Sequence, residues 1–195
     1  MPAPGKHRKP IIDAAITHFR QYGYPATGLN DIVMTSGAPK GSLYHYFPEG
    51  KPSIAVAAVE EASRRMAQSM REIAEVAKDP CDFLLRYASA LAELMRASGY
   101  RDGCPMTTVL LELAPADAKV TQAGLDSYSL RLDVIKGVLA EGGYADAQAS
   151  NLATSWLSAL NGALIQARVY RSTRPLDTVA ELLAATMPPP LVESE

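Results

Sequence analysis

The chain is short of several residue types, and each shortage removes a class of function. It has only two cysteines, Cys81 and Cys104, and three histidines, His7, His18 and His45. Two separated thiols make neither a metal-ligand spacing nor a disulfide framework. The histidines fall in no Ser–His–acid arrangement, and no phosphate-cradling loop is present, since Gly41 and Gly50 lack its spacing. We therefore expect no catalytic residues, no metal and no cofactor. No apolar run approaches the roughly 20 residues that span a bilayer. The first ten residues are polar and basic with no apolar stretch behind them, so no secretory signal is expected and the chain reads as cytoplasmic. Aromatic residues make up 7%, and alternating β-branched runs are missing, which argues against sheets.

What is there is ordinary globular composition, with 48% hydrophobic and 21% charged residues over 195 positions. The net charge of −2 speaks against a nucleic-acid protein until the chain is divided. Residues 1–52 carry six basic residues (Lys6, Arg8, Lys9, Arg20, Lys40, Lys51) against three acidic ones (Asp13, Asp31, Glu49). The remainder holds 13 basic and 18 acidic residues. A basic head on an acidic body suits a DNA-reading module joined to a regulatory one.

Periodicity predicts helices throughout. The first runs from about Lys9 to Tyr22, with Ile12, Ala15, Ile16 and Phe19 on one face, and Gly23 is expected to end it as a left-handed cap. A short second helix follows Thr27, whose hydroxyl is placed to cap it, and ends at Ser36-Gly37. A third starts at Pro39, a residue suited to the first helical position, and carries Lys40 to Phe47. After the break at Pro48-Glu49-Gly50, a long helix is expected over 51–78. Asp79-Pro80 then opens another that reaches about Ser98. Further helices are predicted at 105–113, 117–141, 145–171 and 175–187, and the tail from Pro188 onward is expected to fray. Because the long helix leaves the head and enters the body, the two are expected to be mechanically coupled.

Two short helices joined by a Gly-containing turn, inside a unit of about 45 residues, form a helix-turn-helix arrangement. Leu29, Ile32 and Val33 are expected to pack on Phe19 and Leu43. Gly37 supplies the turn, and Gly41 is expected to let the third helix approach the second closely. The outward face of the third helix then offers Lys40, Ser42, Tyr44 and His45 to base edges and phosphates. Lys51 sits at the next helix N-terminus, which itself favours an anion. Each side chain also has a plainer use. Tyr44 can anchor the head as a half-buried aromatic, and His45 can be a solvated helix-end residue. Tyr46 and Phe47 read as core. The segment Lys6-His7-Arg8-Lys9 can reach an adjacent minor groove or act only as a solubilising tail.

The stretch Ile11 to Ala55 resembles the TetR family of regulators. The matching positions are Ile11-Ile12, Ala15, Phe19, Gly23-Tyr24, Thr27, Leu29, Asp31-Ile32, Ser36-Gly37-Ala38, Lys40 through Phe47, and Lys51. A second likeness, to the LmrA/YxaF branch, rests on two segments. One is His45-Tyr46-Phe47-Pro48-Glu49-Gly50-Lys51, one residue longer than the usual family turn; the other is Gly103-Cys104-Pro105-Met106 with Leu110-x-Glu112-Leu113. The resemblance implies phosphate-contacting roles for Thr27, Tyr44 and Lys51, and a reading helix that carries Lys40, Ser42 and His45. Pro39 departs from the hydroxyl or cationic residue often found there, which removes one potential DNA contact, and Pro52 is unusual just after the lysine.

The resulting expectation is an all-α protein: a helix-turn-helix head over residues 1–50 and a helical ligand-binding and dimerisation domain over 51–195. Its partners would be double-stranded operator DNA, a small-molecule effector and a second copy of itself, with no membrane. Met66, Met70, Met95, Cys104, Met106, Leu110, Tyr128 and Trp156 are the candidate pocket residues, although methionines at helical spacing are commonly plain core. Cys104 invites a redox role, but Asp102 offsets Arg101 and no resolving cysteine is near in sequence, so packing or pocket lining is the better reading. The last two long segments are the expected dimer face, through Leu152, Trp156, Leu160, Leu164, Val169, Leu176, Val179, Leu182 and Leu183. A ligand-released repressor is the expected function. An activator on the same scaffold and a small-molecule binding protein with weak or lost DNA binding are the alternatives.

Overall fold

The computed structural model describes residues 6–190, and within them the chain is entirely helical, without a strand. The nine helices of the described residues are α1 (Arg8–Ala26), α2 (Leu29–Ser36), α3 (Lys40–Tyr46), α4 (Lys51–Ala74), α5 (Pro80–Ala97), α6 (Pro105–Leu113), α7 (Ala118–Glu141), α8 (Asp146–Tyr170) and α9 (Arg174–Ala185). None is long and apolar enough to cross a membrane.

The starts and stops follow local chemistry. Asp79 caps α5, its Oδ1 accepting the Asp82 amide at 2.8 Å, with Pro80 next in the first turn. Asp117 does the same for α7, taking the amides of Lys119 and Val120 at 3.0 Å each. Gly37 ends α2 with φ 62° and ψ 11°, a left-handed conformation that glycine adopts without a β-carbon penalty.

Four details differ from the sequence expectation. Gly23 has φ 81° but ψ 173°, so it kinks α1 instead of capping it, and helical structure continues through Pro25 to Ala26. Thr27 does not cap α2. Its hydroxyl donates to the Gly23 carbonyl at 2.7 Å, closing the kink, while the Gly28 amide donates to Asp31 Oδ2 at 3.0 Å and opens α2. The long helix α4 stops at Ala74 instead of running to Lys78. Finally, the prolines after α9 are held in place: Tyr144 Oη donates to the Pro188 carbonyl and Gln148 Nε2 to that of Pro189, each at 2.9 Å. The expected frayed tail beyond Pro190 lies outside the described residues.

The chain forms two compact units. The first takes the residues up to Arg65 together with Gly103–Tyr128; the second takes Met66–Asp102 and the chain from Ser129 onward. Helices α4 and α7 each supply residues to both. In the first unit α1 packs against α2, α3 and α6. Its core is Ile11, Ile12, Ala15, Phe19, Ile32, Leu43 and Ile54, with Leu29 and Val33 only half-buried. The Gly103 amide donates to the Arg20 carbonyl at 2.8 Å, which ties the start of α6 to α1. In the second unit α9 packs on α5 and α8 around Phe83, Leu84, Leu91, Ile135, Trp156, Leu160 and Leu176.

Candidate nucleic-acid interface

The head is a small tripod whose third leg is α3. Leu43 is fully buried, and Phe47, just past the helix end, is 3% exposed; these two residues anchor one side of α3. The opposite side is thereby turned outward, and Lys40, Tyr44 and His45 are exposed, with Ser42 half-buried beside them. Tyr44 is 47% exposed. The His45 ring meets the Tyr46 ring edge-on at 5.0 Å between centroids. Gly41 has open space where a β-carbon would stand, so the expected close approach to α2 is not its role; its contribution is a bare patch of helix surface between Lys40 and Ser42.

Two further groups frame this face. Lys51, in the first turn of α4, holds its ammonium 4.3 Å from the centre of the Tyr24 ring and donates to the Pro25 carbonyl at 3.4 Å. Burial pulls its pKa below the ordinary lysine value. Arg8 places its guanidinium 5.6 Å from the centre of the Phe47 ring, so the basic N-terminal segment is pinned at the far end of α3. Thr27 is 1% exposed and its hydroxyl is already engaged with Gly23.

An ion cluster fixes α1 to α4 inside the same unit. Arg65 bonds Asp13, 52 residues away, and also Glu61 at 2.6 Å, while Lys9 reaches Asp13 at 2.9 Å. Burial alone would raise both carboxyls. The hydrogen bonds from Arg65 and Lys9 to Asp13, and from Arg64 and Arg65 to Glu61, outweigh it and hold both below the usual carboxylate range. This cluster is invisible in the sequence, because an Asp–Arg pair 52 residues apart leaves no mark in local spacing.

The eight candidate pocket residues divide evenly between the two units. Met106 is 1% exposed in the first unit, where Cys104 and Leu110 are half-buried and Tyr128 is 38% exposed. A β-carbon on Gly124 of α7 would stand 2.6 Å from Leu110 Cδ2, so a larger residue there would make the Leu110 side chain move. In the second unit Met70, Met95 and Trp156 are packed inside the hydrophobic core, and Met66 is half-buried. The same unit carries a groove of about 470 Å³ between α4 and α7, lined by Arg71, Ala74, Glu75, Asp133, Val134, Gly137, Val138 and Glu141. None of these was singled out from the sequence. Asp133, Gly137 and Glu141 do stand at i, i+4, i+8, but that spacing reads as an ordinary solvated face.

On α8 and α9, Trp156, Leu160 and Leu176 are buried within the chain and so are not available to a partner, contrary to the sequence expectation. The exposed apolar residues there are Ile165, Val169, Tyr170 and Leu182, of which Ile165 and Tyr170 were not anticipated.

A three-helix head with an outward, basic third helix, joined to an all-α body, defines a helix-turn-helix regulator. Residues 11–58 match the family described as "Bacterial regulatory proteins, tetR family", and residues 80–182 match "Transcriptional regulator LmrA/YxaF-like, C-terminal domain". The chain belongs to the TetR family of transcriptional regulators, in its LmrA/YxaF-like branch, and not to a family of enzymes. It is 29% identical to the regulator YxaF of Bacillus subtilis over 93% of this chain and 95% of that one. It is 28% identical to LmrA of the same organism over 88% and 92%. An HTH-type regulator of Mycobacterium tuberculosis is 32% identical over 94% and 97%. Among solved structures, a TetR regulator from Legionella pneumophila superposes with a TM-score of 0.82 at 19% identity, covering 96% of this chain and all of that one. Reduced NemR of Escherichia coli gives 0.74 at 22%, with coverage of 96% and 100%.

Proposed function

We propose that this regulator is a repressor that binds a pseudo-palindromic operator as a homodimer and is released by a small-molecule effector. The observation that carries the DNA-binding part is the sidedness of α3: Leu43 and Phe47 are buried on one side, and Lys40, Tyr44 and His45 are exposed on the other. In this reading Lys40, Ser42 and His45 meet base edges, and Tyr44 and Lys51 meet phosphates. Thr27 supports the contact from below by closing the α1 kink against Gly23. Two copies joined through the exposed apolar residues of α8 and α9 would set recognition helices about 34–36 Å apart, or a longer spacing fixed by the body. The effector would bind in the body, among the candidate residues Met66, Met70, Met95, Cys104, Met106, Leu110, Tyr128 and Trp156, and an apolar or aromatic compound suits that set. It releases DNA by binding the non-operator state more tightly, and the shift cannot exceed that difference in affinity. The cytoplasm is where such a protein meets its operator.

The test is selection of genomic fragments by the purified protein, followed by binding of the best fragment at low and high salt. A palindromic site whose affinity falls steeply with salt supports the reading. Lys40→Ala combined with Lys51→Ala should then weaken binding and flatten the salt dependence. If the wild type enriches no site, and the double variant changes nothing in its weak binding to DNA, the head is vestigial and the small-molecule binding protein replaces this reading.

A further inference from the structure

We propose that Lys119 masks the charge of Glu49, so that a carboxylate next to the phosphate-contacting corner of the head does not repel the operator. This inference rests on the DNA-binding reading above. Glu49 lies in the Pro48–Gly50 turn between α3 and α4, two residues before Lys51. The turn is tight: the Gly50 amide donates to the Phe47 carbonyl at 2.9 Å, with Gly50 at φ +70°. Glu49 therefore sits in the turn that leads directly into Lys51, and like charges still repel over about one Debye length.

Lys119, 70 residues further along in the same compact unit, covers that carboxylate. Its ammonium donates to both oxygens, at 2.6 Å and 2.8 Å. The placement of this lysine has no explanation within its own helix. It is the second residue of α7, where the amides of Lys119 and Val120 already point at Asp117 and where the helix dipole disfavours a cation. What offsets that cost is Glu49. The pair also has little to do with folding, because its side chains are 68% and 54% exposed and exposed ion pairs contribute little to stability. Its consequence lies at the DNA surface, where an unmasked carboxylate would act twice in a dimer.

The test compares Lys119→Met, Glu49→Gln and the double variant with wild type, by operator affinity at fixed moderate salt and by urea unfolding. Masking predicts that Lys119→Met weakens binding about 3- to 10-fold, as an uncovered like charge near a phosphate should. Glu49→Gln should bind as tightly as wild type or tighter. The double variant, which has no ion pair at all, should recover the Glu49→Gln affinity. A double variant as weak as Lys119→Met overturns the proposal, because Lys119 would then be bonding phosphate itself. A Glu49→Gln variant as weak as Lys119→Met also overturns it, since the pair would be a mechanical brace. Failure of the underlying DNA-binding reading looks different: all four proteins, wild type included, would bind no site.

Discussion

Replacing Lys51 by Met keeps an unbranched stem over Tyr24 and removes only the charge, which makes it a clean test of phosphate contact. The ammonium rests 4.3 Å from the Tyr24 ring centre and 3.4 Å from the Pro25 carbonyl, so the side chain is held in place before any DNA arrives. A held cation costs less entropy to engage than a free one. In duplex DNA each neutralised phosphate contributes about 0.9 to the slope of log affinity against log salt concentration. A dimer carries two copies of Lys51, so the variant should lose about 1.8 from that slope. Between about 50 and about 200 mM salt, the wild type should then shed roughly 12-fold more affinity than the variant. The assay is fluorescence anisotropy on a labelled operator duplex across that range. Loss of the cation–π contact should cost only about 0.5–1 kcal/mol of stability, so the fold survives for the comparison. A variant that binds more weakly with an unchanged slope would refute the reasoning: Lys51 would then be organising Tyr24 and the α1 kink rather than meeting a phosphate.

Three other outcomes follow from the same geometry. Thr27→Val, nearly isosteric, leaves the Gly23 carbonyl without its hydroxyl donor; we expect a loss of about 1–2 kcal/mol in urea unfolding, and no change there would mean that the bond does not hold the kink. Asp13 and Glu61 both have carboxyls held below their ordinary pKa, so their contribution to stability is present at neutral pH and is lost as pH falls through the lowered folded values. Asp13→Asn should therefore flatten the acid limb of the stability–pH curve, and an unchanged acid limb would remove the Arg65 cluster from the account. Val169→Asp, at an exposed apolar position of α8, should yield monomers in sedimentation and lose operator binding; a persisting dimer would place the interface elsewhere.

Much of this protein is legible in its residues because helices are local objects. Pro80 behind Asp79, Gly37 after Ser36 and the apolar spacing from Ile12 to Phe19 depend only on neighbours a turn away, so their elements appear where spacing and capping place them. The exposed face of α3 is legible for the same reason: a seven-residue helix with Leu43 inward leaves few other orientations for Lys40 and Tyr44.

What is non-local was not legible. Thr27 looked like a cap because a hydroxyl before a helix usually serves as one. Its actual acceptor is a carbonyl freed by the Gly23 kink, which depends on how α1 bends over the head core. Trp156, Leu160 and Leu176 could not be divided by periodicity between an internal core and a partner-facing surface, because both demand the same apolar stripe. The same holds for charge. The Asp13–Arg65 and Glu49–Lys119 pairs join residues 52 and 70 positions apart, and electrostatic pairing at that separation is decided by packing alone. Sequence determined the helices and the side of α3 that meets the solvent; tertiary structure decided which apolar residues remain exposed, which carboxylates are covered, and what holds the α1 kink beside Lys51 in place.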